Sequence, residues 1–126
     1  FKYIKLLKDH KLNIVSLIHP QSTVSGFSNL GLGVCVMSNA VINPGSLIKD
    51  GEIINTSASI DQDCLIEEFS HISPNCSLSG GVKVGKFTHL GTGTSVHPGI
   101  SIGDNVKAGV GSKIFKNISN NKIYKD

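Results

Sequence analysis

The chain has no tryptophan, only 6% aromatic residues and no arginine, since all twelve of its basic residues are lysine. Few aromatic residues in a chain of 126 are typical of a narrow aliphatic core rather than a large globular centre. The net charge of +3 is modest, and many lysines fall near the two ends of the chain. We interpret them as solvated end groups and predict no nucleic-acid partner.

The sequence also lacks the patterns of disulfide scaffolds, membrane spans and phosphate-binding loops. Cys35, Cys64 and Cys76 are odd in number and have no C-x-x-C spacing, so we expect free thiols in a reducing compartment and a cytoplasmic location. No apolar run reaches the length of a membrane span, and the first residues do not resemble a signal peptide. There is no P-loop, and no G-x-G-x-x-G follows a strand.

What the sequence has instead is a six-residue repeat. Every sixth residue from Ile18 to Ile114 is apolar, and the residue four positions later is usually small or β-branched, with Glu52 and Ile100 as exceptions. The residue just after the apolar one is often Gly, Asn or Asp, which suits a tight corner. A period of six fits neither an α-helix nor a coiled coil. We therefore predict an all-β fold, a parallel β-helix whose coils stack around the aliphatic residues.

The repeat also sets the predicted boundaries. We expect a short N-terminal helix and linking strand over 1–17, a β-helix of about six coils over 18–116, and a polar C-terminal tail over 117–126. The helix starts without a cap, and the tail ends without an obvious closing element. We therefore expect either a fragment of a longer protein or the product of a shortened gene.

The hexapeptide pattern resembles that of the left-handed β-helix acyltransferases. A closer similarity, to the catalytic C-terminal half of the sialic-acid and bacillosamine type sugar O- and N-acetyltransferases, rests on the segments 17–20, 54–64, 67–75, 80–85, 89–104 and 109–117. The resemblance implies triangular left-handed coils of eighteen residues, three hexapeptides each. It further implies a homotrimer with sites between subunits, acetyl-CoA as co-substrate and no metal.

Gln62 departs from this family pattern at the most consequential position. Family members carry a histidine there, which acts as the general base while a neighbouring carboxylate holds its tautomer. Asp61 and Asp63 keep the flanking acids, but a glutamine amide cannot take a proton. The resemblance thus marks Gln62 and Asp63 as catalytic positions and leaves the base missing.

His71 matches the family histidine that lies beside the acetyl group, and His89 follows eighteen residues later. If one coil has eighteen residues, their imidazoles stack about 4.8 Å apart. Such proximity disfavours double protonation and keeps at least one ring able to accept a proton. We hypothesise that His71 or His89 replaces the missing base. The alternative is that both are partly buried surface residues of a groove between subunits.

The cofactor positions come from the resemblance alone. It places acetyl-CoA along the groove between neighbouring chains, beside the positions that match His71, Gly80, Thr92 and Val110. Glycines near Val110 would allow close approach of the backbone.

Three functions are compatible with this fold. The first is an acetyltransferase that moves acetyl from acetyl-CoA to an amino or hydroxyl group of a sugar or nucleotide sugar in surface-glycan biosynthesis. The second is a non-catalytic relative that has lost the base. The third is a metal-dependent hydratase of the γ-class carbonic anhydrase kind, whose histidine spacing the chain does not match. Because a neutral amine needs no prior deprotonation, we expect an amino sugar rather than a hydroxyl as acceptor.

Overall fold

The structure is a computed structural model that describes residues 2–125. Phe1 and Asp126, the outer ends of the predicted N-terminal segment and C-terminal tail, lie outside the described residues. Within the described part are one helix, α1 (Lys2–Asp9), and eighteen strands of two residues each. The strands are β1 (Leu17–Ile18), β2 (Thr23–Val24), β3 (Asn29–Leu30), β4 (Cys35–Val36), β5 (Val41–Ile42), β6 (Leu47–Ile48), β7 (Ile53–Ile54), β8 (Ser59–Ile60), β9 (Leu65–Ile66), β10 (His71–Ile72), β11 (Ser77–Leu78), β12 (Lys83–Val84), β13 (His89–Leu90), β14 (Ser95–Val96), β15 (Ser101–Ile102), β16 (Lys107–Ala108), β17 (Lys113–Ile114) and β18 (Ile123–Tyr124).

The strands form three parallel sheets, each a face of a three-sided coil. Face A contains β1, β4, β7, β10, β13, β16 and β18, face B contains β2, β5, β8, β11, β14 and β17, and face C contains β3, β6, β9, β12 and β15. Leu17 pairs with Cys35 and His71 with His89, so each strand pairs with the one eighteen residues further on. This confirms the predicted left-handed parallel β-helix of about six coils with one short helix.

The six-residue period places one aliphatic residue in the interior at each strand. From Val36 to Ile114 every periodic residue is buried. In the first coil Ile18 is 52% exposed, because no further coil packs on it within the described residues. The interior is therefore a narrow stack in which each coil covers its neighbour.

Helix α1 lies against the corner where face C leads into face A, here called the C–A corner. Ile4 Cδ1 is 3.1 Å from where a Cβ on Gly51 would be, so Gly51 leaves room for the helix. Lys8 Nζ lies 3.2 Å from Asp50 Oδ2. No helix in residues 2–125 is long and apolar enough to cross a membrane.

The C-terminal segment continues the stack with a shorter step. Lys107 pairs with Ile123 and Ile102 with Ile118, sixteen residues apart rather than eighteen. Ile118 is buried, and Tyr124 packs against the core. The segment predicted to be a polar tail thus adds part of a coil, because a two-residue shift moves its apolar residues out of the six-residue register.

Glu52 is a buried acid in the C–A corner. Its Oε1 accepts a hydrogen bond from Ser70 N at 2.7 Å, while Oε2 is buried without a hydrogen-bond partner. One coil later, Ser70 Oγ accepts from Thr88 N at 3.1 Å and donates to Gly85 O at 2.7 Å. Burial raises the pKa of Glu52 to about 9, so the acid is neutral at pH 7.

Glu52→Gln should therefore stabilise the protein at alkaline pH. Since the folded pKa of about 9 lies above the ordinary 4.5, the stability that protonated Glu52 contributes is complete below pH 4.5 and is lost as the pH rises towards 9. We expect the free energies of unfolding of variant and wild type, measured in urea, to diverge by up to about 1.4 kcal/mol per pH unit across this window.

The matched control is Glu68→Gln. Glu68 Oε2 lies 3.2 Å from Lys86 Nζ, and the pKa of Glu68 is lowered by hydrogen bonding and by Lys86 despite some desolvation. Its contribution has the opposite sign, since it is present above the ordinary pKa and lost as the pH falls. A Glu52→Gln difference that stays constant from pH 5 to pH 9 contradicts a neutral buried acid.

Candidate functional site

The predicted catalytic residues lie on opposite sides of the coil. Gln62 and Asp63 lie between β8 of face B and β9 of face C, at the B–C corner. His71 and His89 open β10 and β13 on face A. In a three-sided coil the B–C corner is opposite face A, so one chain does not bring Gln62 to His71.

The predicted cofactor positions divide in the same way. Gly80 lies at the B–C corner, one coil after Gln62. Thr92 and Val110 lie one above the other at the corner where face A leads into face B, and Gly111 N donates to Thr92 O at 2.8 Å. Val110 is 81% exposed. Within one chain, then, Gly80 accompanies Gln62, while Thr92 and Val110 border the face that carries His71.

Asp61, rather than Asp63, contacts Gln62. The Asp61 carboxylate accepts from Gln62 N at 2.9 Å and from Asn43 Nδ2 at 3.2 Å. With the Gln62 amide nitrogen turned towards Asp61, Nε2 also donates to Oδ2 at 3.2 Å. Asp61 therefore holds Gln62 as a carboxylate would hold an imidazole, but the held group has no basic nitrogen.

The side chain of Asp63 points elsewhere. Asp63 has a positive φ of 58° and lies at the outside of the B–C corner. Its Oδ1 occupies the space that a Cβ on Gly45, one coil earlier, would need. The structure thus brings Asp61 and Gln62 together and leaves Asp63 exposed beside them.

The two histidines of face A form a stacked pair. Their ring centroids are 4.7 Å apart and their planes differ by 7°, which confirms the predicted stacking. Burial, and then the charge of His89, lowers the pKa of His71 below its ordinary 6.5. His71 is consequently neutral at pH 7.

Each imidazole has a side-chain partner from the residue sixteen positions earlier. Asn55 Nδ2 lies 3.0 Å from His71 Nε2, and Ser73 Oγ lies 2.9 Å from His89 Nε2. The sequence interpretation missed Asn55 and Ser73. Their equal spacing from the two histidines, in an eighteen-residue coil, was the available indication that they lie beside the rings.

The described residues offer no ligand set for a metal ion. In residues 2–125 no three His, Cys, Asp or Glu side chains are placed to hold one. His97 lies at the B–C corner beside Phe115, with ring centroids 6.1 Å apart, and not on face A with His71 and His89.

No family model matches the chain. No curated protein matches it either. Solved structures do match. The acetyltransferase domain of PglB from Neisseria gonorrhoeae FA1090 is 38% identical with a TM-score of 0.92, over 93% of this chain and 57% of that one. The same domain in complex with acetyl coenzyme A gives 38% identity and a TM-score of 0.94, over 95% and 58%.

A third structure is a histidine-to-asparagine mutant of perosamine N-acetyltransferase from Caulobacter crescentus, in complex with CoA and GDP-perosamine. It is 39% identical with a TM-score of 0.93, over 94% of this chain and 57% of that one. The chain therefore spans a little under three fifths of the length of these relatives, at 57 to 58%.

Gly80→Ala should displace the Gln62 side chain. A Cβ on Gly80 would collide with the Gln62 amide, which is the movable end of a flexible side chain. We expect the Gln62 side-chain amide signals to shift in NMR spectra, with little loss of stability. The matched control is Gly26→Ala, three coils earlier in the same corner, where a Cβ meets no atom within 4 Å. Unchanged Gln62 amide signals in Gly80→Ala would show that Gln62 does not lie over Gly80.

Proposed function

Because this chain belongs to the hexapeptide-repeat family of left-handed β-helix acyltransferases, we propose that it moves acetyl from acetyl-CoA to the amino group of a nucleotide-linked sugar. Two relatives support the donor and the acceptor class, since one is solved with acetyl coenzyme A and another, an N-acetyltransferase, with CoA and GDP-perosamine. The observation that carries the proposal is the stacked pair of His71 and His89 on face A, in which His71 occupies the position that the family resemblance gives to the histidine beside the acetyl group.

The site is formed between copies of the chain. Gln62 and His71 lie on opposite sides of one coil, so a site containing both needs a second copy. In a cyclic trimer whose axis runs along the coil stack, every chain keeps the same height. Gln62 and His71 are nine residues, half an eighteen-residue coil, apart along the chain, so the B–C corner of one copy meets face A of the next at nearly the same level.

The chemistry is aminolysis of a thioester. The acceptor nitrogen attacks the carbonyl carbon, a C–N bond forms, the C–S bond breaks, and one proton passes from nitrogen to the leaving CoA sulfur. Gln62, held by Asp61, orients the acceptor but takes no proton. An amine that binds neutral can attack without losing a proton first, whereas a hydroxyl needs proton removal in the transition state. The chain therefore suits an amino sugar.

We place the reaction in the cytoplasm and in surface-glycan biosynthesis. The three cysteines within the described residues are free thiols, as a reducing compartment allows. Because Gln62 cannot act as a base, it favours one competing function, in which the chain binds acetyl-CoA without catalysing transfer.

Gln62→His tests the proposal. A histidine at this position would lie next to the Asp61 carboxylate and supply a general base, which contributes on the order of 100-fold or more in rate. We expect CoA release from acetyl-CoA with nucleotide-linked amino sugars to be slow in the wild type and to rise by that factor in the variant. Gln62→Leu, which removes the amide and adds no base, is the control. Inactivity of wild type and Gln62→His alike would favour the non-catalytic alternative.

Mixed trimers test whether the site lies between copies. The double variant Gln62→His/His71→Ala is refolded together with wild-type chains, so that His at position 62 and His71 never occur in one chain. We expect the acetyltransferase activity of the mixture to be several times the weighted mean of the activities of the two parent proteins, because neighbouring copies complete the site. Activity equal to that mean places the whole site in one chain.

A further inference from the structure

The amide orientation of Asn55 is determined by its neighbours. Thr56 N donates to Asn55 Oδ1 at 2.7 Å, and because a backbone N–H only donates, the atom facing it must be the oxygen. The nitrogen of the amide therefore faces His71, where Nδ2 lies 3.0 Å from Nε2. Since Asn55 Nδ2 is a donor without acceptor capacity, His71 Nε2 must accept.

This contact fixes the state of His71. A neutral imidazole that accepts at Nε2 carries its hydrogen on Nδ1, and both ring nitrogens are then occupied. Protonation would place a second N–H at Nε2, opposite the Asn55 Nδ2 hydrogens, and lose the hydrogen bond. Burial, and then the charge of His89, also lowers the pKa of His71. His71 is thus a neutral hydrogen-bond donor.

The hydrogen bond of His89 is compatible with more than one tautomer and protonation state. Ser73 Oγ lies 2.9 Å from His89 Nε2, and a hydroxyl both donates and accepts. His89 can therefore hold its hydrogen on either nitrogen and can also be doubly protonated, with the hydroxyl turning to match. In the sheet, His71 lies between Ile53 and His89, and His89 lies between His71 and Lys107. Lys107, the strand partner of His89, is the charged residue next to the pair in this column of face A.

We propose that Asn55 is a positioning residue that holds His71 as a neutral Nδ1–H donor, and that His89, partnered by Ser73, is the imidazole that binds the proton. This proposal rests on the proposed function and gives the two histidines different roles in one acetyl transfer. His71 donates a hydrogen bond to the thioester oxygen as the C–N bond forms. His89 takes the proton of the attacking nitrogen and passes it to the CoA sulfur as the C–S bond breaks.

The test is a reciprocal exchange of the two partners, read by NMR on the full chain labelled with ¹⁵N. Asn55→Ser gives His71 the partner that His89 has, and Ser73→Asn gives His89 the partner that His71 has. Long-range ¹H–¹⁵N spectra report the tautomer and protonation of each ring, and His71→Gln and His89→Gln assign the signals. Neither readout requires turnover, and a change of fold would be seen in the backbone amide signals.

In the wild type we expect the Nδ1–H form of His71 to dominate. Asn55→Ser should lower the tautomer ratio of His71 about tenfold, the effect of one hydrogen bond, and Ser73→Asn should bring His89 to the Nδ1–H form. A wild-type His71 in the Nε2–H form, or no response to Asn55→Ser, would overturn the proposal.

Turnover separates this proposal from the function on which it rests. In an active protein, His89→Gln should remove the acid limb of the kcat/KM pH profile, whereas His71→Gln should lower kcat and keep that limb. The opposite assignment of the limb contradicts the proton-accepting role of His89. The expected tautomers without any acetyl transfer would refute the proposed function and leave the positioning by Asn55 intact, while turnover with the wrong tautomers would do the reverse.

Discussion

The backbone pairing between residues eighteen apart is the constraint on which the structure depends. A two-residue strand has no stability of its own, and each coil is held by the coils on either side of it. The pairing fixes which side chains face inwards, where one aliphatic residue per strand fills the stack. It leaves the outward residues free to vary, provided that each corner accommodates its neighbours.

Because the outward-facing residues can vary, they can form the candidate site. Outward residues of successive coils lie one above another, so His71 stacks on His89 at 4.7 Å without any dedicated loop. The same geometry brings Asn55 and Ser73, each sixteen residues earlier, to the two rings. It also keeps the B–C corner with Gln62 away from face A. A regular solenoid thus carries Gln62 and the histidine pair on opposite sides of the coil, and in the proposed site a second copy joins them.

The sequence was sufficient for the fold and for the histidine stack, because both follow from a period that persists from Ile18 to Ile114. It was insufficient where the period changes. The sixteen-residue step placed Ile118 in the core although the six-residue register puts Asn120 there. It was also insufficient for side-chain orientation, since nothing in the order Asp61-Gln62-Asp63 tells which carboxylate turns towards the amide. Asn55 was overlooked because its contact with His71 crosses from one coil to the next, and only the sixteen-residue spacing that Ser73 and His89 share with this pair indicates it.

The family relationship accounts for the β-helix domain. Because Gln62 stands where the family has a histidine, the activity of this domain depends on which other group accepts the proton of the acceptor. In the proposed site, an imidazole on face A of a neighbouring chain takes the place of the missing base. A crystal structure of the full chain with acetyl-CoA is the most direct test. We expect the thioester to lie between His71 of one protomer and Gln62 of its partner. Acetyl-CoA bound along a single chain, with no second copy within contact of the acetyl group, would contradict it.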